Sequence, residues 1–89
     1  MKIEFKKSFA KDLKKKAHEK KLLEHIQEII QEVEQADSIH KIINLKKLKA
    51  DGNYYRIRSG DYRIGLIIEN DTVYFVRILH RSEIYRYFP

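Results

Sequence analysis

The chain has no cysteine. Disulfides therefore cannot staple it, and a thiolate metal site is excluded. Proline occurs once and glycine three times in 89 residues. No Pro- or Gly-rich linker divides the chain, so it reads as one domain over residues 1–89, near the small end of what folds without staples. No apolar run approaches the length that crosses a bilayer, and no signal-peptide pattern precedes the first strand. The expected location is cytoplasmic, with no membrane contact. Acid is the scarcer charge: 13 Asp and Glu stand against 19 Lys and Arg, a formal net charge of +6. That balance favours a polyanionic partner such as nucleic acid, a ribosome or an acidic protein.

Residues 1–6 alternate, with Ile3 and Phe5 on one side and Lys2, Glu4 and Lys6 on the other. This is the pattern of a short half-buried strand. Ser8 is placed to cap a helix that carries Phe9, Leu13 and Ala17 inward. A second helix is clearer, because Leu22, Leu23, Ile26, Ile29, Ile30 and Val33 recur at three- and four-residue steps. The two form a helical hairpin broken near His18 to Lys20. His18 and His25 have no helical neighbour that completes a metal pair, and both read as surface histidines. Residues 36–50 form an apolar connector that packs on the body and shows Lys41, Lys46, Lys47 and Lys49. Three strands follow, at Asn53–Arg58, Asp61–Glu69 and Thr72–Leu79. Ser59-Gly60 and Asn70-Asp71 serve as two-residue hairpin loops. The expected class is α+β: an N-terminal strand, a two-helix hairpin, a three-stranded antiparallel meander and a short C-terminal helix.

Loop length sets register, and register decides which side chains meet. With those loops, Arg58 faces Asp61, Arg56 faces Arg63, and Asp61 faces His80. One face carries Tyr55, Ile57, Tyr62, Ile64, Leu66, Ile68, Val73, Phe75 and Leu79, and is the core side. Arg77 shares that parity and calls for a salt bridge to a helix acid or an escape to the sheet edge. The other face carries Tyr54, Arg56, Arg58, Asp61, Arg63, Gly65, Ile67 and His80. Gly65 is expected to leave a concavity there. Guanidinium groups gathered without matching acids await an anion, most often phosphate. A solvated arginine face is the plain structural alternative. Residues 81–85 start a short terminal helix, with Ile84 and Phe88 inward and Arg81 and Tyr85 one turn apart.

The strand–helix–helix opening carries several short words behind it. These are Leu48-Lys49, Tyr55-Arg56-Ile57-Arg58, Gly60-Asp61-Tyr62-Arg63 and His80-Arg81-Ser82-Glu83-Ile84-Tyr85. In that order and spacing the chain resembles the RelE/ParE toxin superfamily of type II toxin–antitoxin systems, over essentially its whole length. The RelE branch consists of ribosome-dependent endoribonucleases that cut messenger RNA in the decoding site and need no metal or other cofactor. On that resemblance Arg56 and Arg58 occupy the positions of basic residues on the second strand of the family. Arg63 matches the arginine after the glycine–tyrosine turn, and Arg81 and Tyr85 match an arginine and a tyrosine near the carboxyl end. The branch's type member has lysines where this chain has Arg56 and Arg58. It also carries an extra arginine where this shorter chain offers His80.

RNA is cleaved when its own 2′-hydroxyl attacks the adjacent phosphate. The step needs a base at the hydroxyl, positive charge around the phosphate and an acid at the departing 5′-oxygen. Arginine stays protonated, so Arg56, Arg58, Arg63 and Arg81 hold charge and make poor bases. His80 and Tyr85 are the proton movers, with either as base and the other, or a water, as acid. Arg63 and Arg81 would hold the scissile phosphate, and Lys46, Lys47 and Lys49 would steer the protein onto ribosomal RNA. The resemblance also implies a cognate antitoxin as partner, whose acidic segment suits the basic surface. Two other functions fit the same words: a ParE-like inhibitor that binds DNA gyrase without catalysis, and a non-catalytic RNA- or protein-binding module.

Overall fold

The computed structural model describes all 89 residues. Its elements in chain order are strand β1 (Lys2–Phe5), helices α1 (Lys7–Lys15) and α2 (Lys20–Gln35), a 3-10 turn (Ile39–Lys41), strands β2 (Leu45–Lys47), β3 (Tyr54–Ser59), β4 (Tyr62–Glu69) and β5 (Thr72–His80), and helix α3 (Ile84–Tyr87). The strands form one five-stranded sheet in the order β1-β5-β4-β3-β2. The α+β class and the element order agree with expectation. The sheet is wider than a three-stranded meander because β1 pairs parallel with β5, and Leu45–Lys47 pairs antiparallel with β3. The connector thus contributes an edge strand, too short to show alternation in the sequence.

The helix side of the sheet is the core. Periodic apolar positions on α2 bury Ile26, Ile29 and Val33 against Ile57, Ile64, Leu66, Val73, Phe75 and Ile78 of the strands. Each such side chain contributes about 1.5–3 kcal/mol by leaving water. Phe9 of α1 closes the cluster, edge-on to Phe75 at 5.4 Å between ring centroids. The N-terminal ammonium of Met1 donates to the carbonyls of Glu34 (2.8 Å) and Ala36 (2.7 Å). It thereby places positive charge at the carboxyl end of α2, where the helix dipole favours it. Two details differ from expectation. Ser8 does not cap α1; its hydroxyl donates to the Val76 carbonyl. Ile43, read as part of a packed connector, is 66% exposed.

Both hairpins are tight, but the first loop is Gly60-Asp61 rather than Ser59-Gly60. Ser59 pairs with Tyr62, Arg58 with Arg63, Ile57 with Ile64 and Arg56 with Gly65. Gly60 has φ +58°, at the first loop position where a type II′ turn takes glycine. Each strand moves by one residue, so every side chain keeps its expected face while its partner changes. In the second hairpin Asn70 (φ 48°) and Asp71 (φ 64°) are both left-handed, as a type I′ turn requires. There the expected register holds from Glu69 to Leu66.

Beyond Leu66 a bulge intervenes. Leu66 pairs with Phe75, but Gly65 pairs with Arg77, which leaves Val76 as the extra residue. A bulge reverses the facing of all that follows. Ile78 therefore enters the core and is fully buried. Leu79 leaves it to stand opposite Arg63. Arg77 emerges on the face away from α2. The bulge sits where β1 ends: Lys6 N–H donates to the Phe75 carbonyl, and α1 then runs along the β5 edge. Asp12 of α1 is buried there and covers that edge. Its carboxylate accepts from Ile78 N–H at 3.0 Å and from Arg77 Nε at 2.8 Å and Nη2 at 3.2 Å. The expected salt bridge from Arg77 to a helix acid is this one.

Candidate functional site

The face of the sheet opposite α2 is built in cross-strand rows. Lys46, Arg56, Gly65 and Arg77 form one row across four strands. Arg58, Arg63 and Leu79 form the next, toward the Gly60-Asp61 loop. Arg81 follows β5 at the same end. Its N–H donates to the Asp61 carbonyl at 2.7 Å, and its Nε lies 3.9 Å from an Asp61 carboxylate oxygen. Both side chains of that pair are largely exposed, so the contact holds little energy. No carboxylate bridges Arg56, Arg58 or Arg63. Three guanidinium groups and the Lys46 ammonium thus share one face without neutralisation. Arg58 opposite Arg63 is a like-charge pair that costs roughly 0.2–1 kcal/mol.

The individual residues differ in freedom. Arg63 is anchored, with Nη1 donating to the carbonyls of Gly60 (2.7 Å) and Tyr62 (2.9 Å). The hairpin loop therefore fixes its guanidinium without neutralising it. Arg58 is exposed. Arg56 is half-buried and ties β3 to the connector through Nη1 to the Asn44 carbonyl at 3.0 Å. Its buried Nε has no partner. Tyr85 is 60% exposed on α3, and Arg81 lies in the turn before that helix rather than within it.

Four expectations change. His80 is not on the arginine face: after the bulge it pairs with Tyr62 on the helix side, edge-on to that ring at 5.7 Å. Nor does Gly65 leave an open concavity. A Cβ there would lie 2.7–2.9 Å from the ring of Phe88, which fills the space and meets Tyr54 edge-on. Ile84 and Phe88 are buried as expected, but outside the helix-side cluster, because α3 packs on the opposite face. Lastly, Lys46, Lys47 and Lys49 are all exposed, but Lys46 and Lys47 lie on opposite faces of the sheet. Lys46 stands opposite Arg56, whereas Lys47 stands opposite Tyr55, with Nζ 6.0 Å from its ring centroid. Lys46 was read only as a steering charge. The signal for its place in the arginine row was Leu45, whose apolar side chain faces inward opposite Ile57.

This is a small basic α+β domain with α1 and α2 on one face of its sheet and, on the other, α3 beside three arginines that no carboxylate bridges. A family model described as the ParE toxin of the type II toxin–antitoxin system parDE matches residues 3–85. The chain is 46% identical to Toxin RelE3 of Methanocaldococcus jannaschii over the full length of both. The RelE chain in the crystal structure of a RelB-RelE antitoxin-toxin complex from Methanococcus jannaschii superposes with a TM-score of 0.73 at 45% identity, covering 96% of this chain and 98% of that one. The E. coli DinJ-YafQ complex gives a TM-score of 0.76 at 14% identity over 93% and 96% of the two chains, which speaks for the fold alone. The chain belongs to the ParE toxin family, within the RelE/ParE superfamily and on its RelE-like side. No helix is long and apolar enough to cross a membrane.

Proposed function

We propose that this toxin is a ribosome-dependent endoribonuclease that cuts messenger RNA and so stops translation. The reading is carried by Arg58 beside Arg63 on the open face, with Lys46 and Arg56 in the next row and no carboxylate bridging any of the three arginines. Such a surface suits a phosphodiester whose charge grows during cleavage. Arg63 and Arg81 hold the scissile phosphate, and Arg58 and Arg56 stabilise charge beside it. Tyr85 moves the proton from the 2′-hydroxyl. His80 occupies the far side of β5 and serves as acid only if the strand turns over that end. Lys46, Lys47 and Lys49 steer the protein to ribosomal RNA. The 45%-identical match to a RelB-RelE antitoxin-toxin complex supports a cognate antitoxin as partner.

The second reading is a ParE-like inhibitor of DNA gyrase, which the matching family description favours. One experiment separates them. Purified toxin is added to a translation extract, with and without ribosomes, and messenger breaks are mapped beside an Arg63→Ala control. Ribosome-dependent breaks that vanish in the control support the nuclease. Intact messenger with blocked gyrase supercoiling supports the alternative.

A further inference from the structure

A polar cleft lies between α1 and the junction of β5 with α3, at the β5 end of the cross-strand rows. It encloses about 320 Å³, and Lys15, Lys16, Arg77, His80, Glu83 and Tyr87 line it, with Asp12 at its base. Its charges are not balanced. Asp12 is spent on Arg77 and the Ile78 N–H. Glu83 and Lys15 form no ion pair, while Lys16 Nζ has a 3.8 Å contact to Glu19, with both side chains about one-third exposed, and lies 5.3 Å from the Tyr62 ring centroid. Exposed contacts of that length are worth little, so both ammonium groups remain available.

The neutral groups are as informative. His80 Nδ1 accepts from Ser82 N–H at 3.2 Å and meets the Ser82 hydroxyl at 2.8 Å. With Nδ1 an acceptor, the neutral ring carries its proton on Nε2, which has no partner in the protein. Tyr87 leaves 52% of its surface to solvent and lies 5.9 Å from the Arg77 guanidinium. That guanidinium is locked by Asp12, so the ring rests beside a fixed cation. Two ammonium groups, an N–H donor and a half-open aromatic ring match a phosphate joined to a flat base.

We propose that this cleft binds one nucleotide of an RNA strand: phosphate at Lys15 and Lys16, base against Tyr87. The inference rests on RNA being the substrate. His80 and Arg81 are adjacent in the chain and stand at the same end of β5. A strand seated at Arg63 and Arg81 therefore enters the cleft by turning over that end.

The test is a titration of the full chain, observed by amide NMR, with an uncleavable 2′-O-methyl RNA trinucleotide and separately with inorganic phosphate. The trinucleotide is expected to shift Lys15, Lys16, His80 and Tyr87 together with Arg63 and Arg81. Lys15→Ala/Lys16→Ala should reduce the slope of log affinity against log salt by about 0.7, one single-strand phosphate contact. Tyr87→Ala should weaken binding by about 5-fold or more, and Tyr87→Phe should not. Shifts at Arg63 and Arg81 with none in the cleft would overturn this inference and leave the nuclease reading standing. Shifts in the cleft with no ribosome-dependent cleavage would keep the cleft and remove the nuclease. Equal affinity for inorganic phosphate and trinucleotide would overturn the base contact.

Discussion

Phe88 occupies the place where a side chain on Gly65 would stand. The ring lies within 2.9 Å of that Cβ position, so glycine in the middle of β4 is needed for the tail to dock. Gly65→Ala should therefore release α3 while leaving the helix-side core intact. We expect faster amide exchange at residues 84–88 and a lower melting temperature. Phe88→Ala should cost about 3 kcal/mol. The double variant should cost less than the two single changes added together, because both disturb one contact.

Arg58 and Arg63 oppose each other without an acid between them. Replacing Arg58 with threonine should raise stability by up to about 1 kcal/mol and weaken RNA cleavage. Added salt should stabilise the parent protein more than this variant, because screening relieves the same repulsion. Arg63→Ala should lower cleavage by about 10²-fold or more. Unfolding in denaturant and single-turnover cleavage on ribosomes measure the two effects separately.

Tyr85 and His80 lie on different sides of β5, and their variants should not behave alike. Tyr85→Phe should reduce the cleavage rate by about 10²-fold or more, as loss of a positioned proton mover does. His80→Ala should act mainly on RNA affinity. Equal rate losses at both positions, with affinity unchanged, would restore the pair to a single site.

The Asp12–Arg77 bridge should matter at every ordinary pH. Hydrogen bonding to Asp12 holds the Arg77 guanidinium above arginine's usual value, against the opposing effect of burial, and the carboxylate charge adds to it. A raised folded-state value means the contribution is fully present below the unfolded value. It is lost only as pH rises through the folded one, beyond the working range. Asp12→Ala should thus destabilise by about 2–3 kcal/mol, less than a fully buried pair because a quarter of the Arg77 side chain meets water. The deficit should be flat between pH 7 and about 10.

Much of this arrangement was legible beforehand, and the reasons are local. Alternation along residues 62–68 and the short loops assigned Arg56, Arg58 and Arg63 to one face, even with the first loop displaced by one residue. A slip of that kind keeps parity. The bulge at Val76 does not, and its one trace in Phe75-Val76-Arg77-Ile78 is an arginine at a core-parity position, which a salt bridge to a helix acid explains as well. It answers to β1 and α1 meeting β5, a tertiary event. His80 and Leu79 were misplaced for that reason alone. The strand at Leu45–Lys47 escaped notice because three residues show no period. Deleting Val76 should remove the bulge yet keep Arg77 opposite Gly65 and Ile78 opposite Ile64. The expected result is a chain still folded by circular dichroism, with a lower melting temperature because Ser8 loses its acceptor on Val76.

The first strand closes against the last, with Lys2 beside Thr72 and Phe5 beside Phe75. Contacts so distant along the chain form late. While the protein is being synthesised, its sheet has no border strand on that side until Phe75 has cleared the exit tunnel. Nascent chains stalled short of Thr72 should accordingly be digested by protease, and chains released at full length should resist it.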